Sequence, residues 1–156
     1  MTNRTPLVYR DRRVGGGKQR WKTFPTLRAA LDFQLETRNA IRAGTYVAPS
    51  DLTLGEYART RLENRVAVGA IRQSSFRSDA RLLQTHLPPD LASLPLQRLT
   101  TAHLNELYAS LAAGGRKDGK SGGLSPRTIE RLHILLSQSL KAAMAEGLLA
   151  RNVAAP

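Results

Sequence analysis

Apolar residues recur at steps of three and four through most of this 156-residue chain and switch to two-residue alternation only near its start. The longest helical pattern lies in Leu124 to Ala155. Ser125 suits an N-cap and Pro126 a first turn, Ile129, Leu132, Leu136, Leu140 and Ala143 share a face, and Gly147 stops the run. Three shorter patterns precede it. Thr53 with Glu56 three residues on forms a capping-box signature, and Leu54, Ala58 and Leu62 follow on one face to about Val66, before Gly69. A helix starting at Gln73 or Ser74 turns Phe76, Ala80 and Leu83 inward and Arg72, Arg77 and Arg81 outward, and ends before Pro88-Pro89. After a turn at Leu94-Pro95-Leu96, Thr100 or Thr101 caps a helix carrying Leu104, Leu107, Tyr108 and Leu111. Gly114 to Gly123 is a flexible basic linker. Four amphipathic helices with short connections predict a small bundle.

The alternating region comes first in the chain. Residues 7 to 13 and Gln19 to Phe24 read as strands, joined across Gly15-Gly16-Gly17, whose glycines supply the positive φ values of a hairpin connection. Pro25-Thr26 then opens a helix from Leu27 to about Ala43, with Leu27, Ala30, Leu31, Gln34, Leu35 and Ile41 on one side and Gly44 at its end. An isolated hairpin is marginal, so a third strand is expected upstream or at residues 2 to 6. Thr45 to Asp51 has the Pro and Ser of a linker. The predicted class is mainly α, a four-helix bundle preceded by a small unit of sheet plus helix.

Charge adds a partner to this picture. The chain holds 24 Lys and Arg against 12 Asp and Glu, a formal charge of +12, which favours polyanions. The excess is +7 in residues 1 to 50, +1 in 51 to 112 and +4 in 113 to 156, so it gathers at the two ends. Absence of cysteine excludes disulfides and thiolate metal sites. No apolar run has the length of a membrane span, and no segment joins a broad apolar face to a Lys-rich one, so a soluble, cytoplasmic protein without a membrane partner is expected.

Candidate chemistry is sparse. Gly114-Gly115-Arg116-Lys117-Asp118-Gly119-Lys120-Ser121 matches the phosphate-loop pattern of nucleotide hydrolases. That chemistry requires a strand leading in and a helix opening at the Lys-Ser pair, whereas here a helix leads in and Gly122-Gly123 follows. His86, His103 and His133 have no second ligand at helical spacing, no nucleophile elbow exists, and the carboxylates are scattered. Neither a catalytic residue nor a metal or cofactor is expected. Basic helix starts remain: Arg72, Gln73, Ser75 and Arg77 at one, and Ser125, Arg127, Thr128 and Arg131 at another. Arginine forks onto guanine, glutamine pairs adenine, and hydroxyls and N-terminal amides take phosphates, so two such starts side by side would read a DNA groove.

With those residues in view, the chain resembles the N-terminal half of tyrosine recombinases of the phage-integrase family. Three stretches carry the resemblance, in the family's order. Gln19 to Thr26 followed by Ala29-Ala30 is similar to the last strand and helix entry of the arm-binding domain. Ala70 to Phe76 is similar to a helix start of the core-binding domain, and Leu124 to Ile129 through Leu140, Ala143, Glu146 to Leu149 and Asn152 to that domain's last helix and exit. Gln73 and Val153 stand where the family has proline, and Asp79 where an aromatic is common.

The resemblance implies an arm-type DNA-binding domain over 1 to 44 with an AP2-like sheet plus helix, a linker over 45 to 51, a SAM-like core-binding bundle over 52 to 153, and at 154 to 156 the start of a linker to a catalytic domain. That domain, outside this chain, carries the family's catalytic residues, so this portion binds and does not cut. The implied partner is double-stranded DNA, with self-association of the full-length recombinase on it, as a tetramer in the family, in a bacterial or phage-encoded, nucleoid-associated setting. Arg72, Arg77, Arg127 and Arg131 become core-site contacts with Lys141 as a further phosphate contact, and Arg10, Arg12, Lys18, Arg20 and Lys22 become arm-site contacts. A free-standing DNA-binding regulator or architectural protein would use the same surfaces, and a phosphate-loop hydrolase is the enzymatic alternative.

Overall fold

The computed structural model describes residues 5–10, 19–117 and 121–155, with side chains from Thr23 onward. The chain is mainly helical and divides into two compact units, Met1–Ala48 and Pro49–Pro156. The boundary falls within the stretch whose composition reads as a linker.

In the first unit, β1 (Thr5–Arg10) pairs antiparallel with β2 (Gln19–Phe24), Thr5 opposite Phe24 and Arg10 opposite Gln19. Residues 5 and 6 thus belong to β1, and the described residues of the sheet form two strands. Helix α1 (Leu27–Arg42) starts at Thr26, whose hydroxyl accepts from the Ala29 amide at 3.2 Å, and closes at Gly44 with φ 69°. Its inward face differs from the expected one. Ala30 is fully buried and Phe33 meets Phe24 of β2 with ring centroids 5.2 Å apart, while Leu27, Leu31 and Leu35 are more than half exposed. A sheet of two strands covers only a narrow strip of a helix. Once Phe33 occupies that strip, the leucines, one step round the helix, are left outside it.

The second unit is built from α2 (Leu54–Ala67), α3 (Gln73–His86), a single turn α4 (Pro89–Ala92), a 3₁₀ turn (Leu96–Arg98), α5 (Thr101–Gly114) and α6 (Pro126–Ala145). The start of α2 has both halves of the capping box: the Thr53 hydroxyl accepts from the Glu56 amide at 3.3 Å, and the Glu56 carboxylate accepts from the Thr53 amide at 3.1 Å. Gly69 ends this helix at φ 71°. At α5, Thr100 caps and His103 takes the place of the usual Glu, its Nδ1 accepting from the Thr100 amide at 3.2 Å. The α4 turn is absent from the periodicity because four residues cannot show a period. The segment just after it is tied to the start of α2, where Leu54 donates to the Leu94 carbonyl and Leu96 to the Leu52 carbonyl.

Helix α6 is the axis of the core. Leu132, Leu136, Leu140 and Ala143 are completely buried against Leu54, Leu62 and Leu104 of α2 and α5. Ser139, the one buried polar residue among those described, donates back to the Leu135 carbonyl at 2.9 Å, so it carries no unmet donor into the core. Beyond Gly147 (φ 74°) the chain folds back. Leu149, Val153 and Ala154 are buried, Thr101 donates to the Val153 carbonyl, and the Asn152 amide donates to the Ser137 carbonyl. The bundle therefore runs through Ala154 rather than releasing the chain at residue 153. Among the described residues no helix is long and apolar enough to cross a membrane.

Candidate nucleic-acid interface

Leu124 donates to the Leu111 carbonyl at 2.8 Å and thereby fixes the entrance of α6 beside the end of α5. Ser125 then caps α6, its hydroxyl accepting from the Thr128 amide at 3.3 Å and lying 2.9 Å from the Thr128 hydroxyl. The first turn of a twenty-residue helix is thus formed with hydroxyls at its mouth and the positive end of its dipole outward.

Opposite this mouth lies α3, held in place by Arg131. Its Nη2 donates to Asp79 Oδ1 at 2.7 Å and to Ser78 Oγ at 3.0 Å, and its Nε donates to the same carboxylate oxygen at 3.2 Å. This pairing sets the second turn of α6 against the middle of α3. Between them opens a groove of about 590 Å³, with Ser78, Arg81, Leu82, Thr85 and His86 on one wall, Ser125, Thr128 and Arg131 on the other, and Arg116, Lys117, Gly123 and Leu124 of the α5–α6 connection at the end. Four cations line it, and no carboxylate does so among the described residues.

The expectation that the starts of α3 and α6 adjoin is thereby altered. Arg72 at the N-cap of α3 and Gln73, Ser75 and Arg77 within it are all exposed, but none lines this groove; the α3 wall begins at Ser78. Of the α6 set, Ser125, Thr128 and Arg131 line the groove, and Arg127 is exposed beside it. Arg131 is an ion-pair partner of Asp79, the residue that departs from the resembling pattern. Lys141 lines a second groove of about 360 Å³ between α2 and α6, together with Arg61 and Arg65. Arg81, Arg116, Lys117, Arg61 and Arg65 are the basic residues that helix-start reasoning missed. Only Arg81 carried a signal, as an outward arginine one turn beyond Arg77.

Arg10, Arg20 and Lys22 lie on the paired strands, with Arg20 opposite Tyr9 and Lys22 opposite Leu7, while Arg12 and Lys18 lie outside the described residues. In the phosphate-loop match, Gly114 ends α5 and the next helix opens only at Pro126, beyond Gly122-Gly123; Lys120 lies outside the described residues. A helix, not a strand, leads into the motif, and among the described residues the first helix after it opens five residues past Ser121.

His133 is half-buried, its Nδ1 3.1 Å from the Tyr108 hydroxyl, so it links α6 to α5. Burial pushes the Tyr108 phenol up to about 12, and burial together with the Glu146 carboxylate pushes Tyr57 up to about 12, which keeps both protonated at neutral pH. His86 is held below its ordinary value by burial first and by the Lys117 charge second, and its Nδ1 is buried without a hydrogen-bond partner. No cluster of potential metal ligands occurs among the described residues. Neither a family model nor a characterised protein nor a solved structure matches this chain.

Proposed function

We propose that this chain is the DNA-binding N-terminal portion of a site-specific tyrosine recombinase, gripping duplex recombination-site DNA with a SAM-like core-binding bundle and an arm-binding unit of sheet plus helix. The observation that carries the DNA reading is the groove between α3 and α6. It joins Arg81, Arg116, Lys117 and Arg131 to the Ser125 and Thr128 hydroxyls at a helix start, with no carboxylate among its described lining. A phosphodiester backbone needs this combination of charge and donors, and a neutral ligand does not. The recombinase assignment rests on the resemblance of the three sequence stretches and their order. In this reading residues 1 to 156 bind and position, and strand cleavage belongs to a catalytic domain outside them.

Titration of a labelled duplex with salt tests the DNA reading. Binding falls steeply as salt rises, and Arg127→Ala lowers the slope of log K against log salt by about 0.9, the contribution of one phosphate contact. A slope indistinguishable from zero for the wild type overturns nucleic-acid binding; a slope unchanged in Arg127→Ala removes that residue alone. The recombinase assignment is tested by the reading frame beyond Pro156, where a domain ending in a nucleophilic tyrosine supports it and a stop codon favours a free-standing regulator.

A further inference from the structure

The two grooves beside α6 lie in series on one flank of the helix. The α3-side groove takes Ser125, Thr128 and Arg131 from α6; the α2-side groove takes Leu135, Gln138, Ser139, Lys141, Ala142 and Ala145. Ser125, Thr128, Arg131, Leu135, Gln138, Ala142 and Ala145 advance by three or four residues, so they form one stripe along both grooves, beside the face of Leu132, Leu136 and Leu140 that enters the core. Lys141 extends the stripe's edge within the second groove, and exposed Arg127 borders it at the first. Where α3 walls the first groove, α2 walls the second and supplies Arg61 and Arg65, the latter donating from Nη1 to Gln138 Oε1 at 3.3 Å. Like the first, the second groove has no carboxylate among its described lining.

This repetition is informative because the middle of the chain is nearly charge-balanced. Residues 51 to 112 carry seven basic and six acidic side chains, yet Arg61 and Arg65 face α6 while Glu63, one step round α2, pairs outward with Arg59 at 3.8 Å. On α2, two of the three arginines, Arg61 and Arg65, turn to the α6 flank, while Glu63 and its partner Arg59 turn away. Packing does not require such sorting, since the core beneath is leucine on both helices.

We infer that the α2–α6 groove is a second phosphate seat, with Arg61, Arg65 and Lys141 holding the backbone of the same duplex whose phosphate occupies the α3–α6 groove. The centres of the two α6 stretches are about twelve residues apart, which at 1.5 Å per residue is roughly 18 Å. Along a duplex axis, at 3.4 Å per nucleotide of one strand, that distance spans about five phosphates. A rigid helix carrying two seats at this spacing engages the backbone at two places and so fixes the direction in which the duplex crosses the bundle. One seat alone would leave the duplex free to pivot.

This inference rests on the DNA reading, and the test separates the two. The salt slope is measured on a random-sequence duplex of about 30 base pairs for the wild type, for Arg81→Gln/Lys117→Gln, for Arg61→Gln/Arg65→Gln/Lys141→Gln, and for the five changes combined, with melting temperatures as a check of folding. At about 0.9 per contact, the second set is expected to lower the slope by about 2 to 3 and the first by about 2, and the combined variant to lose the sum. A wild type without salt-dependent binding overturns the DNA reading and the second seat with it. A steep wild-type slope left unchanged by the Arg61/Arg65/Lys141 set overturns the second seat alone. A combined loss no larger than either single loss also overturns it, because the two seats then do not hold one duplex together.

Discussion

Arg131 separates two kinds of basic residue on the same helix, and its replacement distinguishes them. Read from sequence, Arg131 and Arg127 are equivalent DNA contacts. In the structure, Arg127 is exposed with no ion pair among the described residues, whereas Arg131 places two donors on Asp79 and one on Ser78. The Asp79 side chain is 16% exposed and that of Arg131 51%, so the pair lies between two regimes. A fully exposed pair contributes about 0.2–1 kcal/mol, and breaking a fully buried one costs about 3–5 kcal/mol. With one partner mostly covered and the other half in water, Arg131→Ala should cost about 1–2 kcal/mol, which is a fall of roughly 5–10 °C in melting temperature for a domain of this size. Asp79→Asn should cost a comparable amount, since it removes the same attraction from the other side. The two variants diverge on DNA. Asp79→Asn removes a negative charge beside the groove and should raise duplex affinity, whereas Arg131→Ala removes a cation and should lower it. Arg127→Ala should weaken binding while leaving stability within about 0.5 kcal/mol. Thermal melts by circular dichroism and duplex titrations by fluorescence anisotropy measure both quantities. If neither Arg131→Ala nor Asp79→Asn shifts the melt, the pair has no tie between α3 and α6 to break, and Arg131 returns to the status of a plain DNA contact.

Further outcomes follow from other parts of the bundle. Thr53→Ala removes the hydroxyl half of the α2 capping box and should cost about 1 kcal/mol in denaturant unfolding. Glu56, its reciprocal partner, is held below the ordinary carboxylate value chiefly by its hydrogen bonds from Thr53; its contribution is therefore present above 4.5 and lost as pH falls through its folded-state value, a loss that Glu56→Gln should abolish. Leu136→Ala, at a fully buried position on α6, should cost about 2.7–5 kcal/mol by leaving a cavity, again read from denaturant unfolding. At Gly123, a Cβ would collide with the Ala112 carbonyl, so Gly123→Ala should displace the end wall of the first groove and weaken duplex binding more than it lowers the melting temperature. His86, whose value is lowered by burial and by Lys117, binds fewer protons folded than unfolded; stability should fall as pH drops through 6.5 and level off below the folded-state value, a dependence absent in His86→Gln.

Helix boundaries were legible in the sequence because the groups that make them are local. Thr26, Thr53 and Ser125 each satisfy an amide three residues on, and Gly44, Gly69 and Gly147 each take the positive φ that ends a helix, so every partner lies within one turn. The His103 box at α5 has the same spacing but is not legible as one, because a reciprocal cap is marked in sequence by a carboxylate or amide and here an imidazole takes that place. What the periodicity could not supply was the choice among faces. On α1, both Leu27-Leu31-Leu35 and Ala30-Phe33-Ile41 are apolar at helical spacing, and the Phe24 ring on β2 decides between them.

The candidate interface was legible in part for a related reason. Basic residues at the start of α6 stood out because cap, dipole and charge coincide within four residues. Arg61 and Arg65 did not, since they sit in the middle of α2, and their relevance depends on α2 lying beside α6 some seventy residues later, as the contact between Arg65 and Gln138 shows. The same separation hid the Asp79–Arg131 pair, 52 residues apart. A charged residue in mid-helix has two fates, a partner on the next helix or an open groove, and neighbouring residues in sequence do not distinguish them. Here the fates divide along α6: Arg131 is tied to Asp79, whereas Lys141 lines a groove with two further cations and no described carboxylate. Because the core beneath them is built almost wholly of leucine, the groove cations can be exchanged with little effect on its packing. Changes in DNA affinity at Arg61, Arg65 and Lys141 should therefore be readable without a matching loss of stability, whereas at Arg131 the two must move together.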